Sequence, residues 1–346
     1  AFSMTELTKR AYEDFGGTQA EGKYTPKDLH DAMELGINRF MGEVGQTGIS
    51  PVADVSGAKE TVEWIRSHIL EKIPAQQNRR TAEQDEFQQF STPPDLAYVM
   101  NWIARLKASD SVLEPSAGIG GLAIYANNVG AKVHVNERSE RRASILRTMG
   151  FAAVTQENAE QLHNILPASV KPSVVIMNPP FSSTAGRMEG ERKSSNVVVH
   201  LNQALKRLQS GGRLVALIGK GKAEFGGETS RAVEDWIKAT AGQYAYRARI
   251  GLSGEGYKKY GTTFDNQILV FDKVAPDDVR PVIANLDDVI DAIPLLKEVR
   301  DARNYSDDQQ SSAESGSEAL ADARESPARP GESVRPAADS VGTRSP

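Results

Sequence analysis

Residues 111–128 read SVLEPSAGIGGLAIYANN, a short apolar run that passes through a glycine-rich turn into a helical pattern. Glycines in such a turn let the chain reverse tightly and let a ligand approach the backbone, and the start of the helix offers unpaired N–H groups. The turn lacks the lysine of a nucleotide-triphosphate phosphate loop. The stretch predicts the first unit of a parallel α/β fold, with a ligand across the turn.

Short apolar runs alternate with amphipathic helices on the carboxyl side of this stretch. Seven strands are predicted: Ser111–Leu113, Lys132–Val135, Ala152–Thr155, Ser173–Met177, Arg213–Ile218, Tyr244–Ile250 and Gln267–Phe271. Helical stretches follow the first five, whereas a glycine-rich segment joins the last two. The pattern predicts a Rossmann-like α/β fold with a mainly parallel seven-stranded sheet and an antiparallel hairpin at one edge.

The rest of the chain divides by composition. Residues 1–80 form a predicted helical accessory region, with helices at Met4–Phe15, Pro26–Phe40 and Ala58–Lys72. Residues 81–300 form the α/β domain. Residues 301–346 contain almost only small, charged and proline residues, and such a segment buries too little apolar surface to offset its chain entropy. We expect residues 301–346 to be a disordered tail.

Composition excludes several kinds of site. The 346 residues include no cysteine, and the five histidines are scattered without ligand spacing, so we expect no metal site. No apolar stretch approaches the ~20 residues that cross a bilayer, and we expect a cytoplasmic protein. The net charge of −5 does not indicate a nucleic-acid binder, although any such surface would be local.

Two further motifs follow predicted strands. Glu137 ends the second strand, 23 positions after Glu114, where a carboxylate can accept hydrogen bonds from both hydroxyls of a ribose. Residues 178–181 read Asn-Pro-Pro-Phe directly after the fourth strand. The two prolines fix the backbone and remove two N–H donors, so carbonyl groups and one amide side chain are presented at the carboxyl edge of the sheet.

Together these motifs resemble the amino-methyltransferase branch of the class I AdoMet-dependent methyltransferases, and in detail the N(6)-adenine DNA methyltransferases. The resemblance spans Glu83 to Lys273 and includes an upstream element, Phe90-Ser91-Thr92-Pro93. Asn158 stands where that family usually has an aspartate. The segment Tyr257–Phe264 is similar to methyltransferase-like domains attached to Strawberry-notch-type helicases of phages and mobile elements.

The resemblance implies S-adenosyl-L-methionine as cofactor and gives each motif a role. The implied cofactor-binding residues are Phe90, Thr92, Pro93, Glu114, Pro115, Ala117, Gly118, Gly120, Glu137, Asn158 and Asn178. The implied catalytic residues are Asn178, Pro179, Pro180 and Phe181. The Asn178 side-chain oxygen and the Pro179 carbonyl would each accept one N–H of the acceptor amine, and Phe181 would stack on it.

DNA is the implied partner, with adenine flipped out of the duplex or presented in a single strand. Candidate substrate contacts are Arg187, Lys193, Lys258, Tyr260 and Phe264, and Arg192 and Lys259 are further candidates for phosphate contact. Enzymes of the resembled family normally carry a target-recognition domain after the sheet, whereas here we expect only a tail after Lys273. We therefore expect sequence selection to be weak or delegated to a partner or to the rest of a longer polypeptide, in a helicase, restriction-modification or anti-restriction assembly.

Two other functions stay open at the level of the sequence. Enzymes with the Asn-Pro-Pro-aromatic motif also methylate guanine amino groups in RNA and the glutamine amide of release factors. The chain could also bind AdoMet or DNA without catalysis, inside a larger assembly. The intact motif at residues 178–181 argues against loss of catalysis.

Overall fold

Helices and strands alternate along most of the chain in the computed structural model, which describes residues 3–45, 49–74, 91–180, 196–221, 229–260 and 265–303. The helices are α1 Met4–Phe15, α2 Pro26–Gly45, α3 Val55–Ile65, α4 Pro94–Ala104, α5 Ala123–Asn128, α6 Glu140–Leu146, α7 Leu162–Ile165, α8 Asn196–Arg207, α9 Arg231–Ala241, α10 Ala292–Leu295 and α11 Lys297–Asp301. The strands are β1 Ser111–Glu114, β2 Lys132–Asn136, β3 Ala153–Thr155, β4 Val174–Met177, β5 Arg213–Gly221, β6 Ala245–Leu252, β7 Asp265–Asp272 and β8 Val282–Leu286. A π-helical turn, Arg66–Leu70, follows α3, and 3-10 turns cover Ala159–Gln161, Gly254–Tyr260 and Val289–Asp291.

One sheet carries all eight strands in the order β3-β2-β1-β4-β5-β7-β6-β8. Only β7 runs against its neighbours β5 and β6, and the other pairings are parallel. The predicted fold class, a Rossmann-like α/β fold with a mainly parallel sheet, is confirmed. The chain moves from β1 to β2 and β3 on one side and then returns to β4 on the other. Such a reversal of strand order opens a crevice at the carboxyl ends of β1 and β4.

The sheet has one strand more than predicted. Strand β8 pairs in parallel with β6 and forms the edge, so the β6–β7 hairpin lies one strand inside it. Residues Val282, Ala284 and Leu286 pack on the core, whereas Ile283 between them is 65% exposed. An apolar residue on the outer face hides the alternation that identifies a strand covered on one side.

Apolar side chains fill both faces of the sheet. On one face, helix α4 is buried along its whole length, Pro94–Ala104, and the α3 residues Ala58, Val62 and Ile65 belong to the same core. On the other face, α8 and α9 pack through residues such as Leu201 and Trp236. No helix within the described residues is long and apolar enough to span a membrane.

The predicted start of the tail, residue 301, lies too early in the chain. Helix α11 ends at Asp301, and Arg303 beyond it is 4% exposed. Its guanidinium binds both carboxylate oxygens of buried Asp110, at 2.5 and 2.9 Å, and the carbonyl oxygens of Ala104 and Arg105. The ordered part therefore reaches at least to Arg303. Residues 304–346 lie outside the described residues, and their disorder stays a prediction.

Replacing Arg303 with Met should lower the free energy of unfolding by about 3–5 kcal/mol, because Asp110 would keep its charge in the core without a partner cation. Urea denaturation measures this change. Lys297→Met is the matched control, since Lys297 pairs with Asp301 at the exposed surface and such pairs contribute little. Equal losses in the two variants would show that the Arg303 pair does not anchor this end.

Candidate active site

A cleft opens at the carboxyl ends of β1, β2, β3 and β4, where the strand order reverses. The predicted site residues that line it are Thr92, Glu114, Pro115, Ala117, Gly118, Glu137, Asn158, Asn178, Pro180 and Tyr260. Pro93, Gly120, Pro179 and Lys258 are not part of its wall. The predicted residues Phe90, Phe181, Arg187, Lys193 and Phe264 lie outside the described residues, as does Arg192.

The glycine-rich turn after β1 forms the floor of the cleft. Gly118 has φ +56° and Gly120 φ +81°, a left-handed backbone that other residues adopt at a cost. A Cβ at Gly120 would lie 2.9 Å from Cζ of Phe151, so packing behind the turn requires glycine as well. Gly120 therefore shapes the turn from outside the cleft.

Glu137 holds that turn in place. Its Oε2 accepts the Gly118 N–H at 2.9 Å, and its Oε1 accepts the Ser139 N–H at 2.8 Å. Burial raises the pKa of Glu137, while Arg142 and the two backbone bonds oppose the rise. Each carboxylate oxygen can accept a second hydrogen bond, so Glu137 can fix the turn and also bind hydroxyl groups of a ligand.

Asn136, which the sequence reasoning missed, ties together the turns after β1 and β3. Its Nδ2 donates to the carbonyl oxygens of Pro115 and Glu157 at 2.9 and 3.0 Å. Its Oδ1 accepts from the Glu157 N–H and the Thr155 hydroxyl at 2.9 and 2.8 Å. The amide thus uses both donors and both acceptor positions. Its place at the end of a strand, beside Glu137, is the only sequence signal for it.

Glu114 lies at the base of the cleft and is 2% exposed. Burial raises the pKa of its carboxyl well above the usual range, the Ala123 N–H opposes the rise, and the charge of Glu137 adds to it. Its Oε2 is buried and has no hydrogen-bond partner among the described residues. A buried polar atom without a partner at a cleft wall is a position that a ligand donor would satisfy.

Asn158 caps the 3-10 turn after β3. Its Oδ1 accepts the Glu160 N–H at 3.1 Å, which leaves the amide nitrogen as the group suited to a ligand. Asn158 therefore offers a donor at this wall, where an aspartate would offer only acceptors.

Asn178 sits at the end of β4 with its amide oriented by two hydroxyl groups. Its Nδ2 donates to Oγ1 of Thr92 at 2.9 Å and lies 3.5 Å from the hydroxyl oxygen of Tyr257. Burial raises the pKa of Tyr257, so it stays a neutral phenol. With the amide nitrogen bound to Thr92, Oδ1 is the atom of Asn178 that can accept from a substrate. Tyr257 was missed as a site residue, although the sequence singled out its segment.

The predicted substrate residues near Tyr257 take different positions. Tyr260 lines the cleft and is 5% exposed. Lys258 is exposed and pairs with Glu255. Lys259 donates to the carbonyl oxygens of Leu70 and Ile73, at the end of the π-helical turn. Lys259 therefore fixes its segment to the helical region instead of offering a charge for a phosphate.

The cleft is acidic. Carboxyl groups at its wall are Glu34, Glu114, Glu137, Glu157 and Glu160, against the guanidinium groups of Arg138 and Arg142. An excess of carboxyl groups favours a cationic ligand with hydrogen-bond donors over a polyphosphate. Within the described ranges, no group of carboxylates and histidines could hold a metal ion.

Comparisons with known proteins find only distant structural likenesses. No family model and no curated protein matches the chain. A candidate modification subunit of a type I restriction enzyme from Vibrio vulnificus is similar over 67% of this chain and 55% of its own, at 12% identity and a TM-score of 0.45. A candidate class I S-adenosylmethionine-dependent methyltransferase from Listeria monocytogenes covers 71% of this chain and 79% of its own, at 16% identity and 0.45. A candidate RNA methyltransferase from Pyrococcus horikoshii is similar over 62% of this chain and 99% of its own, at 18% identity and a TM-score of 0.45.

This chain thus spans about half of the Vibrio subunit. At these identities and TM-scores the likeness assigns neither a family nor an activity to this chain. What the site does has to follow from its own residues.

Asn136→Ala should lower the free energy of unfolding by about 2–4 kcal/mol, because it leaves buried backbone groups of the two turns unpaired. Denaturant unfolding measures the loss. Asn285→Ala, which removes an exposed amide bound to Lys220, should change stability by less than about 1 kcal/mol. If the two variants unfold alike, Asn136 does not tie the turns together.

Proposed function

We propose that the chain is an AdoMet-dependent methyltransferase that transfers a methyl group to the exocyclic amino group of adenine in DNA. The observation that carries this proposal is the Asn178 carboxamide, which is held through its nitrogen at the edge of an acidic cleft. Its oxygen can accept a hydrogen bond from an amine. The motif resemblance at residues 90–93 and 178–181 supports adenine as the acceptor.

The residues of the cleft fit AdoMet by their chemistry. The cofactor is a cation with two ribose hydroxyls and an adenine amino group, and the cleft offers acceptor oxygens of carboxyl groups, among them the Glu114 oxygen that has no partner among the described residues. Glu137 would accept from the ribose, and Asn158 would donate to the adenine ring. The Gly118 turn would lie under the cofactor. When bound, AdoMet supplies an electrophilic methyl group whose C–S bond breaks, with the electron pair kept by sulfur, as the N–C bond forms.

The chain's own part is to hold and polarise the amine. A base amino group is a weak nucleophile because its lone pair is delocalised into the ring. Asn178 Oδ1 and the Pro179 carbonyl would each accept one N–H, which draws the nitrogen towards a tetrahedral geometry. Positive charge that develops on the nitrogen meets two fixed acceptors, and no reorganisation is needed at that moment. The excess proton leaves to solvent after transfer, since neither acceptor is a base.

The acceptor must reach the carboxyl edge of the sheet. A base in a duplex cannot do so while stacked, so adenine would be flipped or taken from a single strand. Tyr260 lies in the wall that such a base would meet. Stacking by Phe181, contacts from Arg187, Lys193, Lys258 and Phe264, and a helicase or restriction-related partner remain proposals from the sequence.

Asn178→Ala should lower the single-turnover methylation rate by about 10²–10³, because it removes an acceptor that matters most as charge develops. AdoMet affinity, measured by calorimetry, should barely change. Methylation of adenine at the wild-type rate by this variant would contradict the mechanism, whatever the substrate context.

Thr92→Val should lower the same rate by roughly tenfold, because loss of one hydrogen bond costs about 0.5–1.5 kcal/mol and frees the Asn178 amide to turn. Thr92→Ser keeps the hydroxyl group and is the matched control, with most of the rate retained. If serine and valine have the same effect, the Thr92 hydroxyl does not orient Asn178.

A further inference from the structure

Helix α2, in the N-terminal helical region, forms part of the cleft wall. Asp31 binds Arg141 and Arg142 of helix α6 at 2.5 and 3.1 Å, and these side chains are largely buried. Asn38 Nδ2 donates to the carbonyl oxygen of Ile119, in the glycine-rich turn, at 2.8 Å. The helix is therefore fastened to the same turn that forms the floor of the cleft.

Glu34 is the carboxyl group that α2 contributes to the cleft. The side chain is half-buried and lines the cleft, and its Oε2 accepts the Ser91 hydroxyl at 2.6 Å. Ser91 directly precedes Thr92, which binds the Asn178 amide. Glu34 therefore lies at the end of the cleft where β4 finishes.

The order of the strands sets the direction of the cofactor under the proposed function. Glu137 and Asn158 follow β2 and β3, so the residues that would hold the ribose and adenine lie over that half of the sheet. The amino-acid end must then point across β1 towards β4, where Glu34 and Asn178 lie. That end carries an α-ammonium group and the neighbouring sulfonium, both positive.

Charged and titratable groups lie near Glu34 on three elements. Asp31 and Lys27 lie on its own helix, Arg142 on α6, and the neutral Tyr260 faces it from the segment before β7. Burial, followed by the charge of Asp31, raises the pKa of Glu34 to about 7, while Arg142, the Ser91 hydroxyl and Lys27 oppose the rise. A cation placed beside such a half-buried carboxyl stabilises its ionised form.

We propose that Glu34 is the anionic partner of the cofactor's ammonium group, which makes helix α2 a part of the cofactor site. The inference rests on the proposed function and deepens it. Below its pKa, Glu34 in the free protein is protonated, and binding of the cation has to release that proton. AdoMet affinity should therefore rise with pH through about 7, and fall again where the α-ammonium group of the ligand loses its own proton.

Calorimetry with AdoMet, at roughly one unit below and one unit above this pKa, tests the inference. The ionised fraction changes from about a tenth to about nine tenths over this interval, so wild-type affinity should rise by up to about tenfold, with proton release at the lower pH. Glu34→Gln should bind about tenfold more weakly at the higher pH, and its affinity should change less between the two pH values than that of wild type. Glu43→Gln, at an exposed position of the same helix, should behave as wild type.

Thermal unfolding of the ligand-free proteins tests whether the pKa of Glu34 is raised in the folded state. A carboxyl with a raised pKa in the folded state lowers stability as the pH rises from its unfolded value towards about 7. Glu34→Gln removes this loss, so its Tm should exceed that of wild type above pH 7 and match it below the unfolded pKa.

The outcomes separate the two proposals. Wild-type protein that binds AdoMet equally at both pH values, or a Glu34→Gln variant that binds as wild type does, overturns the role of Glu34 and leaves the proposed function standing. Wild-type protein that binds no AdoMet overturns both.

Discussion

The orientation of the Asn178 carboxamide is the constraint on which the site depends. A carboxamide can present either a donor or an acceptor, and an amine substrate needs the acceptor. The hydrogen bond from Nδ2 to Thr92 fixes that choice, with the Tyr257 hydroxyl close by. Thr92 precedes the buried helix α4, and Tyr257 precedes β7, so two distant segments of the chain position one side chain.

The fold brings charge and shape to the same edge of the sheet. Reversal of the strand order between β1 and β4 opens the cleft, and glycines with positive φ allow the tight turn that forms its floor. Asn136, the last residue of β2, and Glu137 directly after it hold that floor in place through hydrogen bonds. Helix α2 closes the side near Asn178. Under the proposed function, a cationic cofactor and a neutral amine would be accommodated by different walls of this one cleft.

Local patterns predicted most of the fold, because each strand and helix carries its own periodicity. Helix α1 has the predicted bounds, and all seven predicted strands are present. Strand β8 was not predicted, because the apolar Ile283 lies on its exposed face. The role of Arg303 was not predicted, because its partner Asp110 is almost two hundred positions away. Asn136 and Glu34 act through contacts with other segments. No local pattern encodes such contacts, so neither residue could be assigned a place in the site from the sequence.

The central claim is that this cleft methylates the amino group of adenine in DNA. Its most direct test is labelled-methyl transfer by the wild-type chain, with unmethylated genomic DNA, RNA and release factor offered side by side, followed by analysis of the modified nucleosides and residues. The account predicts label in DNA, recovered as N(6)-methyladenine. Label recovered only in guanine of RNA or in a protein glutamine, or AdoMet binding without transfer to any of the three, would contradict it.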